Sequence, residues 1–435
     1  MEIGLALLAV ALFLYGITSK RFAVGWVSGP MLFTALGLAA GPKGLDLIET
    51  PVGSSVVLLL LEATLVLVLF TDALGTRTAG WQAEVSLPAR LLGLGLPLTL
   101  AAGWILALVL FPDLSFWEAG LVAIVLTPTD AALGMAVVSN RRVPTRMRHA
   151  LNVESGLNDG LMLPLFFVAL AAAIGETESL SVASVAGAIA TDVVTAAVVG
   201  VALGWGASAA IRWATARDLI AEGWRQISML TLAFAAWAVG DALGGSGFIS
   251  AWVAGLVVGT LLREAFPDIG EFAEHGGHML TVLSFFVFGA AVLGQELARL
   301  VDDPWRFPVY AALSLTAIRI VPVAVSMIGT RLRAPSIAYL GWFGPRGLAS
   351  IILVLTILEE ADLPGITTIR LAMTATVTLS IVAHGMTAWW GSNRYADWYE
   401  RASAGSPDMP ESTTEGTPVR PSRRLGPGKG PDTGP

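Results

Sequence analysis

The sequence predicts an all-α polytopic membrane protein with about 13 transmembrane helices. Three observations support this prediction. The 435-residue chain is 55% hydrophobic and only 14% charged, with a mean hydropathy of +0.71. Apolar runs of about 20 residues recur along most of its length. Two of these runs are interrupted by proline at corresponding positions, which indicates two inverted six-helix repeats with discontinuous, crossing helices.

The composition excludes several other classes of protein. Soluble domains carry about 25% charged residues, so this chain is too apolar to be one. Its net charge of −7 is not accompanied by a basic stripe that could bind nucleic acid. Because the sequence contains no cysteine, disulfides and thiolate metal sites are excluded, and we predict no cofactor.

The apolar runs give the predicted helices in order. Each run is long enough to cross a hydrocarbon core of about 30 Å. The predicted spans cover roughly 3–19, 23–41, 53–73, 89–111, 117–139, 145–173, 183–212, 225–243, 247–264, 278–297, 306–328, 335–358 and 366–390.

The charges between the spans predict the orientation. The N-terminal "MEIGLALLAV" lacks the basic start of a signal peptide, so we expect an uncleaved first helix. Lys and Arg remain on the cytoplasmic side of a membrane. Basic residues occupy alternate loops, at 20–21, 77–90, 141–148, 212–225 and 331–333, and acidic residues occupy the others, except that the loop 264–277 is acidic on the basic side. This pattern predicts that the N-terminus lies outside and the C-terminus lies in the cytoplasm.

The C-terminal segment differs in composition from the rest. From about residue 391 the chain is rich in Pro, Gly, Ser and charge, without apolar periodicity. This composition is typical of disorder. We therefore predict a transmembrane domain over 1–390 and a disordered cytoplasmic tail over 391–435.

The fifth and twelfth spans are the interrupted ones. They contain "VLTPTDAAL", with Pro128 beside Asp130, and "GWFGPRGLAS", with Pro345 beside Arg346. Pro128 is expected to leave the carbonyl of Ile124 without its helical partner. Broken backbone at this depth is tolerated only where protein or a water-filled cavity satisfies it. We infer that Asp130 faces the positive end of one half-helix and Arg346 the negative end of another; the alternative is that both prolines only kink their helices.

The sixth span carries a polar face in the stretch "NVESGLNDG". With a helix start near Pro144, Glu154 and Asp159 lie near mid-membrane, where a charge is costly and usually functional. Glu154 and Asn158 form one edge of this face, and Ser155 and Asp159 form the other.

The two edges have different expected partners. Arg319 in the eleventh span is the expected partner of Glu154, in a structural ion pair. The Ser155/Asp159 edge is expected to face Asp130. Two carboxylates, a hydroxyl and freed carbonyls form a hard oxygen site suited to a small monovalent cation, and a carboxylate that takes either this ion or a proton is sufficient for coupled exchange. The alternative is that these polar groups only hold helices together.

The motifs "TPTDAA", "ESGLNDG" and "GPRG", together with Arg319, resemble the monovalent cation:proton antiporters of the sodium/proton exchanger (NhaP-like) family over residues 1–390. The resemblance implies exchange of Na⁺, or alternatively Li⁺ or K⁺, for H⁺ by alternating access, in a homodimer that serves pH homeostasis. It implies that Asp130, Ser155, Asp159 and the backbone carbonyl of Thr129 hold the cation.

The same resemblance implies that Glu154 and Arg319 form an ion pair with Asn158 beside it. The Asn-Asp pair at 158–159 implies electroneutral one-for-one exchange. The chain departs from many relatives at Ala131, where they have proline after the aspartate.

Two acidic residues of the third span are further candidates: Glu62 near its middle, and Asp72 near its cytoplasmic end. Two other functions remain as alternatives. Ser246 in "GGSG" and His384 could form the dyad of an intramembrane serine protease, which requires hydrogen-bond contact between them. A passive cation channel is the second alternative, and it would conduct without a proton gradient.

Overall fold

The computed structural model describes residues 2–23, 25–47, 55–75, 86–178, 182–303, 305–405 and 409–412, and every regular element within them is a helix. This confirms the all-α fold class. The elements of the first half are α1 (Glu2–Ala23), α2 (Gly29–Ala40), α3 (Ser55–Gly75), α4 (Ser86–Leu110), α5 (Phe116–Val125), α6 (Ala131–Val138) and α7 (Thr145–Glu178). Helix α4 contains one π-helical turn.

The second half repeats the helical character. Its elements are α8 (Val182–Ala216), α9 (Glu222–Ala242), α10 (Gly247–Leu262), α11 (Glu271–Asp302), α12 (Arg306–Leu315), α13 (Ala317–Ser326), α14 (Ala334–Trp342), α15 (Leu348–Glu360) and α16 (Ile366–Ala404). Helix α11 contains a π-helical turn over Phe288–Leu293.

Each predicted span coincides with helix in the structure, and the fifth and twelfth are broken as expected, into α5–α6 and α14–α15. Among the described residues, 7 continuous helical stretches are long and apolar enough to cross a membrane. Helices α2, α5 and α10 are apolar but shorter. The chain is therefore a multi-pass membrane protein, and the count of 13 crossings stays a prediction.

Two predicted boundaries are wrong. The second span was expected to begin at 23, but α2 begins at Gly29, because Ser28 caps it by accepting from the Met31 N–H and Pro30 suits the first turn. The predicted start of the disordered tail at 391 falls inside α16, which continues to Ala404.

Residues 391–404 of α16 form a packed helix because their side chains contact other parts of the bundle. Ser392 and Tyr395 are buried on it, and Asn140 donates to Ser392 at 2.9 Å. Arg142 pairs with Glu400 at 2.9 Å and also with Asp397, and these carboxylates raise the pKa of the Arg142 guanidinium. The residues beyond 412 lie outside the described part of the chain, so the predicted disorder there is untested.

The segment Met409–Ser412, which follows α16, lies against the end of the bundle that carries Arg142, Arg146 and Arg333. We refer to this end of the bundle as the arginine-rich end. Glu411 is fully buried, and its Oε1 accepts from the backbone N–H of Arg333 and the hydroxyl of Ser336, both at 2.8 Å. It thus caps the first turn of α14, where backbone N–H groups lack helical partners. The carbonyl of Pro410 accepts from Arg146.

The close contact between α3 and α10 depends on glycine. Gly255 and Gly259 of α10 lie so close to α3 that a Cβ atom would meet the carbonyl oxygens of Phe70 and Leu74 at 2.4 and 2.6 Å. Small residues allow such backbone approach where lipid provides no hydrophobic drive between helices. The two breaks lie among α5, α7, α15 and α16, and these helices position the polar residues.

Candidate functional site

The two interrupted spans cross at their breaks. The first break covers residues 126–130, and the second covers 343–347. The backbone N–H of Asp130 donates to the carbonyl of Pro345 at 2.7 Å. This single bond joins the two non-helical segments in the interior of the bundle, where each segment satisfies part of the other's backbone.

Asp130 caps two half-helices at once. Its Oδ1 accepts from the Leu133 N–H of α6 at 3.0 Å, and its Oδ2 accepts from the Leu348 N–H of α15 at 2.7 Å. Helix N-termini carry partial positive charge, so this carboxylate is placed at two favourable ends. Gly347 permits the approach, since a Cβ there would lie 2.0 Å from Oδ2. The sequence predicted one such helix end, and the structure has two.

Arg346 binds the C-terminal end of a half-helix, where the partial charge is negative. Its Nη1 donates to the carbonyls of Thr127 and, at 2.9 Å, Pro128, both just beyond the C-terminus of α5. The side chain is fully buried. The carbonyls of a helix C-terminus carry partial negative charge, which is where a cation is stabilising. The inferred placement of Arg346 is therefore present in the structure.

Two serines that the sequence reasoning missed complete the crossing. Ser350 donates to the carbonyl of Val125 at 2.7 Å, and Ser380 accepts from the backbone N–H of Arg346 at 2.6 Å. The only sequence signal for them was a hydroxyl in an otherwise apolar run. The Ile124 carbonyl lacks its helical partner at Pro128, as predicted, and accepts instead from the Thr127 N–H at 3.4 Å.

The polar face of α7 meets the first break at Thr129. Ser155 Oγ donates to the Thr129 carbonyl at 3.0 Å, and Asn158 Nδ2 donates to Thr129 Oγ1 at 2.7 Å. Asp159 is one residue further and only partly exposed, and its Oδ1 is buried. Neither Asp159 Oδ1 nor Asn158 Oδ1 has a hydrogen-bond partner within the described residues.

The charges that act on Asp159 come from three elements. Asp72 of α3 and Asp130 of the first break are its acidic neighbours, and Arg346 is its basic neighbour. Asp130 is thus within electrostatic range of Asp159, and their shared ligation of an ion stays a prediction. Asp72 belongs with this group, whereas the neighbours of Glu62 are Glu359 and Asp241. Of the two candidates in the third span, the one near its cytoplasmic end is therefore the one beside Asp159.

Glu154 and Arg319 form the expected ion pair. Arg319 donates from both Nη atoms to the two carboxylate oxygens, at 2.5 and 2.7 Å, and both side chains are buried. Asn158 was expected beside this pair, but its amide nitrogen is used by Thr129. The difference arises because Thr129 projects from the break between the two edges of α7.

A narrow cleft with about 20 Å³ of free volume, room for about one water molecule, reaches the break. Thr129, Asp130 and Ser155 form its inner end, and Gly134 of α6 and Asn152 of α7 lie along it. These last two lie toward the 139–144 connection between α6 and α7. The cleft therefore extends from the polar group toward the arginine-rich end of the bundle, and Asp159 lies one helical turn beyond Ser155.

The proposed protease dyad does not form. Ser246 caps α10 by accepting from the Ile249 N–H at 3.4 Å. The ring nitrogens of His384 contact Ser380 Oγ at 3.1 Å and the Trp342 carbonyl at 2.9 Å. Each residue thus has its own structural partners, and nothing brings the hydroxyl and the imidazole together.

Comparison with known proteins gives a consistent result. The model of the transmembrane sodium/hydrogen exchanger family matches residues 7–391. The K⁺/H⁺ antiporter NhaP of Alkalimonas amylolytica is 25% identical over 364 residues, which cover 81% of this chain and 60% of that protein. The Na⁺/H⁺ antiporter 2 of Zygosaccharomyces rouxii is 26% identical over 283 residues, 59% of this chain and 34% of that protein.

A solved structure has the same fold. The sodium proton antiporter MjNhaP1 from Methanocaldococcus jannaschii at pH 8 superimposes with a TM-score of 0.69 at 20% identity, over 88% of this chain and 99% of that one. The chain itself spans about three fifths of the length of the Alkalimonas relative and about one third of the Zygosaccharomyces relative.

Proposed function

Because the chain belongs to the transmembrane sodium/hydrogen exchanger family, we propose that it is a secondary antiporter that exchanges a monovalent cation for a proton. Na⁺ is the proposed cation, with K⁺ and Li⁺ as the other candidates. The named relatives include both K⁺/H⁺ and Na⁺/H⁺ antiporters. The exchange is one-for-one and the protein is a homodimer in the inner membrane, with its N-terminus outside and its C-terminus in the cytoplasm.

One observation carries this proposal: two buried side-chain oxygens, on Asp159 and Asn158, have no hydrogen-bond partner within the described residues. An unsatisfied buried polar atom costs free energy, so a native structure usually gives it a partner. Asn158 contacts Thr129 through its amide nitrogen, and Asp159 lies one helical turn beyond Ser155. Oxygen donors of this kind suit a hard monovalent cation, and a carboxylate oxygen also accepts a proton.

In the proposed mechanism Asp159 is the exchanging group. As a carboxylate it binds the cation together with Asp130, Ser155 and the Thr129 carbonyl, and as a carboxylic acid it carries the proton. The two states exclude each other, so the influx of one ion is coupled to the efflux of the other. Asn158 positions Thr129, and Asp72 is an additional acidic group on the path.

Arg346, Glu154 and Arg319 have supporting roles. Arg346 keeps the end of α5 in place, and the ion pair fixes α7 against α13 without adding net charge to the centre. In this proposal the ion reaches the site from the arginine-rich end of the bundle, along the narrow cleft that Thr129 and Asp130 line. Alternating access then requires movement of the crossing helices relative to the rest of the bundle.

The test is transport by purified protein in proteoliposomes with an internal pH dye. Na⁺, Li⁺ and K⁺ are added in turn against an imposed proton gradient. We expect Asp159→Asn to abolish exchange, because the amide can neither carry the proton nor supply a charge. Asp113→Asn, in an exposed connection, is the matched control and should transport as wild type.

Normal exchange by a folded Asp159→Asn protein would refute the proposed role of this carboxylate. Cation flux that needs no proton counter-movement would instead indicate a channel. Electroneutral exchange is checked by adding valinomycin in K⁺-balanced vesicles: the rate should be unchanged when the membrane potential is clamped.

A further inference from the structure

A groove of about 720 Å³ lies between α14 and the last part of α16, apart from the ion site. Its lining is aromatic, with Trp342 from α14 and Trp390 and Trp398 from α16. Trp342 Nε1 donates to Thr387 Oγ1 at 3.0 Å, which fixes one indole against α16. The walls are therefore apolar and the groove is open on its outer side.

The rim of the groove is cationic. Arg394 and Arg401 line it and are exposed, and the Arg394 guanidinium lies 5.4 Å from the centre of the Trp390 ring. The nearby acids Asp397 and Glu400 pair with Arg142 on the neighbouring face of α16. Arg142 compensates one of these two negative charges and holds both carboxylates on its own side of α16, so the two arginines of the rim are not paired with them.

The depth of the groove matches a bilayer leaflet. Ser380 is at the level of the breaks, since it accepts from the Arg346 N–H at 2.6 Å. At 1.5 Å per residue, Trp390 is about 15 Å and Arg394 about 21 Å further along α16. Half of a hydrocarbon core is about 15 Å, and the headgroup region extends to about 20–22 Å. Trp390 thus lies at the acyl-chain boundary, and Arg394 lies at the height of lipid phosphates.

We propose that this groove binds one anionic phospholipid, with an acyl chain between Trp342 and Trp390 and the headgroup phosphate on Arg394. The combination of an aromatic wall and a basic rim at these depths fits an amphipathic anion. The groove is at the end of the bundle that we propose faces the cytoplasm, and basic pockets on the cytoplasmic side of membrane proteins bind anionic headgroups. Arg401 lies above the phosphate and adds to its attraction. This site goes beyond the proposed exchange function.

The bound lipid contacts the wall of the ion cleft. Phe343 lines both the groove and the cleft. Tyr339, which also lines the groove, donates to the Val137 carbonyl of α6 at 3.4 Å. An acyl chain in the groove therefore packs on the two residues that separate it from α6. Filling the groove is expected to stabilise this arrangement and to change the rate of exchange.

The test measures binding directly, without reference to transport. The full chain in detergent is titrated with phosphatidylglycerol or phosphatidylcholine while its melting temperature is recorded, and retained lipids are counted by native mass spectrometry. Arg394→Gln removes the phosphate contact, and Ala338→Trp fills the groove from its exposed position on α14. Arg217→Gln is the control, because Arg217 also lies over a tryptophan, Trp213, at 4.6 Å, but at the end of α8.

We expect phosphatidylglycerol, and not phosphatidylcholine, to raise the melting temperature of the wild type. Arg394→Gln should need about fivefold more phosphatidylglycerol for the same effect, the value of one surface cation near a lipid phosphate. Ala338→Trp should lose the response, and Arg217→Gln should keep it.

Four results would each overturn the proposal: an equal response to both lipids, an unchanged response in Arg394→Gln and Ala338→Trp, a full response to glycerol 1-phosphate alone, or a response that appears only after removal of residues 413–435. The third would indicate a site for free anions, and the fourth would show that the C-terminal segment covers the groove. Lost transport with intact lipid binding would bear only on the proposed exchange function.

Discussion

The ion pair between Glu154 and Arg319 provides the sharpest test of how this bundle is held together. We predict that Arg319→Met strongly destabilises the protein. Arg319 is fully buried and Glu154 is 1% exposed, and the pair has two bonds of 2.5 and 2.7 Å. Removing the cation leaves a carboxylate without its partner in a region from which water is excluded.

The magnitude follows from this burial. Breaking a buried ion pair by removing one partner costs about 3–5 kcal/mol, because the remaining charge loses its compensation. Replacing both partners by apolar residues of similar volume is often nearly neutral, because both desolvation costs are removed together. The double variant Glu154→Leu with Arg319→Met should therefore be more stable than Arg319→Met alone.

The free energy of unfolding is measured by SDS titration in mixed micelles for the wild type, both single variants and the double variant. Arg142→Met is the control, since it breaks an exposed pair and should have a small effect. If the double variant loses as much as the two single losses combined, the groups do not stabilise each other and the reasoning is refuted. The ion preference of Glu154→Leu should be that of the wild type, because this side chain is not a ligand.

Three further predictions concern the crossing and the C-terminal segment. Asp130→Ala should lower stability by about 2 kcal/mol, since it removes two helix caps worth about 1 kcal/mol each, whereas Asp130→Asn should retain most of this stability in the same SDS titration but lose exchange. Gly347→Ala should abolish exchange because its Cβ would lie 2.0 Å from Asp130 Oδ2, while Gly206→Ala in α8, with open space around it and away from the cleft, should transport normally in the dye assay. Glu411→Ala should give faster hydrogen exchange at the backbone amide of Arg333, at the start of α14, and unchanged protection of that amide would contradict the capping role.

The parts of the site that involve full charges were predictable from the sequence. A buried charge in a membrane must have a partner, so Glu154 implied Arg319 at a similar depth. Proline beside Asp130 and beside Arg346 implied freed helix ends, and helix ends attract charges of known sign. These inferences require only depth and sign, which residue positions along a helix supply.

The parts that depend on neutral hydroxyls and amides were not predictable. Asn158 contacts Thr129 and not the ion pair, and this choice depends on ångström differences in how α7 lies against the break. Ser350 and Ser380 occur singly among apolar residues, where most hydroxyls bond to their own helix. Their partners became visible only once the two breaks were placed across each other.

The end of α16 was missed for a different reason. Composition averaged over 391–435 is typical of disorder, and the average hides a helical first part that ends at Ala404. Tyr395 and Trp398 in this part are the signal that could have revealed it, because they recur at helical spacing and pack on neighbouring residues. The remaining segment keeps the polar, proline-rich character on which the prediction depended.

The shared capping by Asp130 has a mechanical consequence. Because one carboxylate holds the starts of α6 and α15, and Arg346 holds the end of α5, none of these half-helices can tilt while the others stay in place. In the proposed exchange mechanism the bound ion therefore moves together with these half-helices as one block, and this block slides along the surrounding helices. Substitutions on the sliding faces should change how often the block moves per second and leave the half-saturating ion concentration unchanged.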